Sequence, residues 1–280
     1  MSDGKVIIDT ELDGKGAEKG ISNLSKTLGN IGKVGSVALK GTAVAIGAAT
    51  TAIGGLVVAS TKAYASYEQL VGGVDTLFKD ASGQVQKYAA DAYKTAQLSS
   101  NQYMEQITGF SASLIQSLDG DTKKAAEYGN RAIIDMSDNA NKMGTGIEMI
   151  QYAYQGFAKQ NYTMLDNLKL GYGGTKTEME RLISDASQMT DIQNKLNVSV
   201  DEGDLSFGNI VNAISVMQDS LGIAGTTATE ASTTIEGSAN TMKASWQNLV
   251  TGMGSDNANL DELITQFVNS VTTFAGNITP

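Results

Sequence analysis

Apolar positions in the first sixty residues recur at alternating spacings of three and four, which is typical of one face of a long helix. The first members of the pattern are aliphatic: Ile21, Leu24, Leu28 and Ile31. The register continues through mostly smaller side chains, at Gly35, Ala38, Thr42, Ala45, Ala49, Ala52, Leu56 and Ala59. A charged stripe of Lys19, Lys26, Lys33 and Lys40 recurs on the opposite side. The pattern predicts a long helix over 14–62 with one edge built for close packing.

Two interpretations of this edge stay open. In the first, it is an oligomerisation seam that joins identical chains. The seam residues are Ile21, Leu24, Leu28, Ile31, Ala38, Ala45, Ala49, Ala52 and Leu56. In the second, the helix is a single amphipathic element that docks on its own domain. Each interior glycine costs about 1 kcal/mol of helix propensity, so either arrangement needs packing to stabilise it.

The uncharged run from Gly41 to Thr61 also matches the length of a bilayer span, about 20 residues. The membrane-active candidates are its strongly apolar members, Val44, Ile46, Ile53, Leu56, Val57 and Val58. Four glycines and four threonines in the same run oppose insertion. The sequence therefore predicts borderline membrane activity here, beside the packing role.

The remaining patterns predict an all-α fold: a multi-helix domain preceded by the long Gly/Ala-rich helix and one short N-terminal strand. The strand prediction rests on the period-two alternation of residues 5–12. Helical patches are predicted at 64–78, 84–98, 100–118, 122–143, 146–168, 175–197, 206–222, 226–252 and 259–275. The predicted divisions are a strand or arm over 1–13, the helix of 14–62, a helical domain over 63–253, and the start of a further helical segment over 254–280.

Composition narrows the chemistry. The 280 residues include no histidine and no cysteine, which excludes Ser-His-Asp and Cys-His nucleophiles, imidazole zinc sites and disulfides. The net charge of −10 argues against specific nucleic-acid binding. No enzyme activity, metal or cofactor is predicted, and the chain is expected to be made in the cytoplasm.

Two short motifs resemble ligand loops and are predicted to be turns. Residues 171–177 resemble a phosphate loop, but Thr175 precedes Lys176 where that loop needs glycine, and no strand comes before it. Residues 201–204 lack the alternating oxygen ligands of a calcium loop. The methionine-rich stretch between Ile133 and Ile150 is predicted to be core, with an adaptable binding groove as the alternative.

The order of several segments is more specific than any one of them. These segments are 4–13 (GKVIIDTELD), the Gly/Ala-rich helix, 67–78 (YEQLVGGVDTLF), 135–144 (DMSDNANKMG) and 155–176 (QGFAKQNYTMLDNLKLGYGGTK), followed by 233–238 (TTIEGS) and 242–246 (MKASW). In this order they resemble the N-terminal region of tail tape measure proteins of long-tailed bacteriophages and prophages. The resemblance covers essentially the whole chain.

The resemblance implies a structural role in the virion. Members of that family are long helical chains, present in several copies in the lumen of the tail tube, whose extent sets tail length during assembly. Implied partners are further copies of the chain, the tail tube, tail assembly chaperones and, on infection, the host membrane. Ile21 to Ala59 would be the oligomerising and membrane-active helix, and Tyr67 to Trp246 the helical domain.

One departure from the family concerns length. A fully helical chain of 280 residues would span roughly 420 Å, whereas family members are usually much longer. We therefore expect one of three things: a fragment of a longer chain, a split gene product, or a compact helical domain that lacks the segment that measures tail length. The competing hypotheses are a membrane-perturbing or pore-forming helical module, and the non-catalytic part of a tail-associated cell-wall hydrolase. For a hydrolase, only a carboxylate-pair glycosidase mechanism remains open to this composition.

Overall fold

A computed structural model describes residues 53–278 of the chain, with side chains from Val58 onward. This part is all-helical and contains no strand, which agrees with the predicted fold class. The predicted N-terminal strand and most of the predicted Gly/Ala-rich helix lie outside the described residues, so both stay predictions.

The helices follow one another with short connections. Their bounds are α1 Ile53–Phe78, α2 Ser82–Thr95, α3 Ser100–Ser117, α4 Thr122–Met143, α5 Ile147–Phe157, α6 Lys176–Ser187, α7 Thr190–Leu196, α8 Phe207–Ser220, α9 Thr226–Thr233, α10 Ile235–Met253 and α11 Leu260–Ile278, with 3-10 turns at Lys79–Ala81 and Leu165–Leu168. Most predicted patches match these elements to within a few residues. The patch 64–78 is the later part of α1, which begins at Ile53 and crosses the predicted division between residues 62 and 63, and 146–168, 175–197 and 226–252 are each divided in two. Local capping explains one division, because the Thr234 hydroxyl accepts a hydrogen bond from Gly237 N at 3.0 Å and starts a new helix.

Side-chain caps set several helix ends. Ser99 forms a reciprocal capping box with Gln102 at the start of α3. Asp121 accepts hydrogen bonds from the amides of Lys123 and Lys124 at the start of α4. Between these helices the chain turns through Asp119 and Gly120, both with positive φ. Ser99 thus starts α3, and residues 119–121 form the turn that separates α3 from α4.

The main core forms around α8, in which every residue from Phe207 to Gln218 is buried. Large side chains from neighbouring helices fill this core, among them Tyr103, Phe78, Phe157 and Met136, none more than 1% exposed. The methionine-rich stretch contributes Met136 to the core, while Met149 is 47% exposed.

Helices α10 and α11 pair around a second apolar cluster that is separate from the main core. Its fully buried members are Leu249, Met253, Ile264, Phe267 and Val271. The Trp246 and Phe267 rings pack against each other with their centroids 5.2 Å apart. The α10–α11 pair therefore has a small core of its own.

Candidate functional site

Most of the predicted site residues lie outside the described part of the chain. These are Ile21, Leu24, Leu28, Ile31, Ala38, Val44, Ala45, Ile46, Ala49 and Ala52. Ile53, Leu56 and Val57 fall within the first turns of α1, and Val58 is 60% exposed. The oligomerisation seam stays a prediction. Within the described residues, no helix is both long enough and apolar enough to cross a membrane.

The most unusual chemistry in the described residues is a buried polar junction between α4 and α8. We define it by Arg131, Asp135 and Asp138 of α4 and Asn212 and Ser215 of α8. The Ser215 hydroxyl donates a hydrogen bond to the Asp135 carboxylate. Arg131 Nη1 donates to Asn212 Oδ1 at 3.1 Å. These contacts join residues about eighty positions apart, so they fix how the two helices pack against each other.

The carboxyl of Asp135 has a pKa close to neutral pH. It is only 5% exposed, and burial raises its pKa from 3.8 to about 7, with Asp138 adding to the rise while Ser215 and Arg131 oppose it. The nearby Tyr154 hydroxyl is buried and has no hydrogen-bond partner, and burial raises the pKa of that phenol. Asp135 therefore exists in both protonation states near neutral pH.

Asp138 anchors the start of α9. Its carboxylate accepts hydrogen bonds from Gly225 N at 2.6 Å and Thr227 N at 2.7 Å. Burial raises the pKa of the Asp138 carboxyl above its ordinary value, and these amide hydrogen bonds offset only part of the rise. Asn141, one turn further along α4, donates to the Thr227 hydroxyl at 2.9 Å. Together these contacts attach α9 to the body of the protein.

Sequence reasoning gave no role to Asp135 or Asp138, although a signal was present for Asp135. Asp135 lies about one helical turn beyond Ala132, which is fully buried. A buried carboxylate beside an apolar stripe must be paired or hydrogen-bonded. Asp138 is two residues beyond Met136 and therefore falls on the other side of the helix, where the periodicity gives no signal.

Three grooves run along the junction between α10 and the rest of the body. One, of about 260 Å³, is lined by Gln97, Gln102, Asn141, Glu148, Lys243 and Gln247, among others. A second, of about 340 Å³, lies beside Tyr64 and Tyr67, and a third, of about 300 Å³, lies beside Trp246. Their polar lining is mainly amide and hydroxyl groups, which suit hydrogen bonding and packing. No cluster of three or more metal-ligating side chains occurs in residues 53–278.

The two ligand-like motifs are turns whose polar groups bond locally. Thr175 caps α6 by accepting from Glu178 N at 3.2 Å. Gly173 N, an amide that a phosphate would need, donates to Glu178 Oε2 at 3.0 Å. In the second motif, the Asp204 carboxylate accepts from Ser206 N at 2.8 Å. Both turns thus have the form predicted from the sequence.

Comparison of the chain with protein-family models, with curated proteins and with solved structures finds no match in any of the three. The function has to be argued from the residues and contacts of this chain.

Proposed function

We propose that this chain is a structural module of a tail tape measure assembly, which acts by helix association and carries no catalytic site. The observation that carries the proposal is the set of tape-measure-like segments, which occur in the family's order along the whole chain. Its partners would be further copies of itself, the tail tube and tail assembly chaperones, in the tail lumen of the virion. Contact of residues 41–61 with the host membrane during genome delivery belongs to the same proposal.

The described fold supports an anchoring role for residues 53–278 within such an assembly. A protein that measures tail length spans about 1.5 Å per residue only where its helix runs straight. Here α1 packs against α3, α4 and α10, and α8 packs against α3, α4 and α6. Helices that fold back on one another add little length. We therefore assign tail-length determination to other segments of the tape measure, and association of copies to residues 14–62.

The polar junction supports a structural role as well. Apolar helix faces can slide or repack at small cost, whereas a buried Asp–Ser pair and an Arg–Asn pair each have one geometry that satisfies them. Such pairs favour a single packing of α4 on α8. A chain that must assemble beside identical copies benefits from a body with one defined shape.

The experiment changes the two sides of the predicted seam helix in the phage or prophage that encodes the chain. Leu24→Ser with Leu28→Ser removes two aliphatic seam residues, and Lys26→Ser with Lys33→Ser is the matched control on the opposite side. Tails are counted by electron microscopy, and purified virions are searched for the chain by mass spectrometry.

We expect the seam variant to lower the number of tails severely and the lysine variant to leave it near the unmodified level. Each buried Leu normally contributes about 1.5–3 kcal/mol per copy, so the loss of two should disrupt association. Absence of the chain from virions, or normal tails with the seam variant, would refute the proposal.

A further inference from the structure

The connection between α9 and α10 is a kink of a single residue. Thr234 has an extended backbone, with φ −116° and ψ 155°. On both sides the helical hydrogen bonds are kept, because Thr234 N donates to Glu230 O at 3.1 Å and Ser238 N donates to Thr234 O at 3.1 Å. A straight helix over 226–253 would need new helical bonds only from the amides of residues 235–237. Such a continuous helix is what the sequence pattern predicts over 226–252.

Two features besides the cap hydrogen bond favour the bent form: the absence of a side chain at Gly237 and the hydrogen bonds of Asn277. Gly237 lies so close to the end of α9 that a Cβ there would collide with the main-chain oxygen of Glu230. Asn277, near the end of α11, donates from Nδ2 to Ser232 O at 3.3 Å and to Thr234 O at 3.1 Å. In a straight helix the Ser232 oxygen would accept the Glu236 amide instead. The absence of a side chain at Gly237 allows the bend, and the hydrogen bonds of Asn277 stabilise it.

The segment beyond the kink can keep its structure when it leaves the body. We call residues 235–278, which form α10 and α11, the arm. Its apolar cluster around Leu249 and Phe267 is separate from the main core. Helix α9, in contrast, is attached to α4 through Asp138 and Asn141. The kink therefore lies between a fixed helix and a unit with its own core.

The interface between the arm and the body is incompletely packed, and its α10 side is mainly small or polar. Buried positions of α10 outside the arm's core are Ser238, Thr241, Ala244, Ser245 and Asn248. Asn248 Oδ1 accepts from Ser100 N at 2.8 Å, while the buried oxygens Asn101 Oδ1 and Gln247 Oε1 have no hydrogen-bond partner. All three grooves open along this interface. On the α10 side, separation therefore uncovers mainly small and polar side chains.

We propose that the arm is exchanged between two copies of this chain. Straightening at Thr234 fuses α9 and α10 into one helix of roughly 42 Å, which carries the arm away from its own body and onto the same surface of a second copy. Every arm–body contact is then made again between chains, as in other exchanged dimers. Only the kink differs, and there the straight form gains helical hydrogen bonds. The occupant of the vacated surface is thus a second copy, because it carries the matching arm.

The test is Gly237→Ala in the full chain, measured by light scattering after size-exclusion chromatography over a range of concentrations. The added methyl group is blocked in the bent form and accommodated in a straight helix, where alanine is also the better helix former. We expect the association constant for the dimer to rise about tenfold or more, the ratio that overpacking at a close contact implies. The matched control is Gly276→Ala, also in a helix, where a Cβ would meet nothing within 4 Å; it should leave the constant unchanged.

Hydrogen exchange distinguishes arm exchange from other outcomes. In an exchanged dimer, the amides of α10 and α11 stay as protected as in the monomer, and the amides of residues 235–237 become more protected. An unchanged association constant with a folded arm, or an unprotected arm in a monomer, would overturn the proposal.

Two further variants keep the test decisive if Gly237→Ala does not fold. Asn277→Ala removes the fastening contacts from a partly exposed position and should also raise dimer formation. A Gly-Ser-Gly-Ser insertion after Thr234 relaxes the bend and should lower dimer formation; no response to either change would count against exchange. Association through the N-terminal seam contributes equally to all variants, so failure of the proposed function leaves the Gly237 effect measurable.

Discussion

Replacing Asp135 by Asn should make the protein less sensitive to rising pH. Asn keeps an oxygen that accepts the Ser215 hydroxyl, and it cannot ionise. In the unmodified protein, Asp135 must ionise inside the α4–α8 junction as the pH rises, near the acids Asp138 and Asp219, which oppose ionisation, and near Arg131, which favours it. The substitution therefore isolates the cost of that buried charge.

The magnitude follows from the two pKa values. The pKa of Asp135 is about 7 in the folded protein against an ordinary value of 3.8. Because the folded-state value is the higher one, the folded state holds the proton more tightly, and stability falls as the pH rises from about 4 to about 7. At about 1.4 kcal/mol per pH unit, ionisation destabilises the folded protein by roughly 4 kcal/mol above both pKa values.

Urea unfolding of the unmodified protein and the Asp135→Asn variant at about pH 4 and about pH 8 measures this difference. With a slope of about 2 to 3 kcal/mol/M, the midpoint of the unmodified protein should fall by about 1 to 2 M relative to the variant. Asp256→Asn, at an exposed position, is the control and should follow the unmodified protein. Parallel pH profiles for the Asp135→Asn variant and the unmodified protein would refute the reasoning.

Other substitutions test the caps and close contacts one at a time, each by thermal or urea unfolding. Asp138→Ala should destabilise by about 1 to 3 kcal/mol, since two amides at the start of α9 lose their acceptor; no loss would mean that water replaces the carboxylate. Ser99→Ala should cost about 1 kcal/mol by removing the capping box of α3. Gly254→Ala should cost about 1 to 3 kcal/mol, because its Cβ would strike the α1 backbone. Gly72→Ala, in α1 with open space around the added Cβ, should stabilise the protein by about 1 kcal/mol. An equal loss of stability in the Gly72 and Gly254 variants would contradict the close contact between Gly254 and the α1 backbone.

Helix ends were predictable where the signal is local. The Ser99 hydroxyl caps α3 through an amide only three residues away, and Asp121 caps α4 over a similar distance. Such contacts depend on the residues of one turn, so a single sequence contains the information. For the same reason, the turn at Gly171 to Thr175 was predictable without knowledge of the fold.

The polar junction was not predictable, because its partners are distant in sequence. Asp135 meets Ser215, and Asp138 meets Thr227. Periodicity places Asp135 beside the apolar stripe of α4 and Asp138 on the other side of the helix, and it does not say which helices pack there. Many serine and threonine hydroxyls in this chain could have served as partners. Only the tertiary arrangement selects these two, so neither pair could be named from the sequence.

The division of 226–252 shows where a local pattern leaves two structures nearly equal. Thr234 is an acceptable residue inside a helix and a good cap at the start of one, and no proline decides between the two. The bent form depends on the absence of a side chain at Gly237, next to Glu230, and on the hydrogen bonds that Asn277 makes from α11. The second of these is an effect of the folded arm. A pattern based on neighbouring residues therefore predicts the straight helix, and the arm's own packing bends it. It follows that a change in where the arm packs would change the secondary structure at Thr234, which is the coupling on which arm exchange relies.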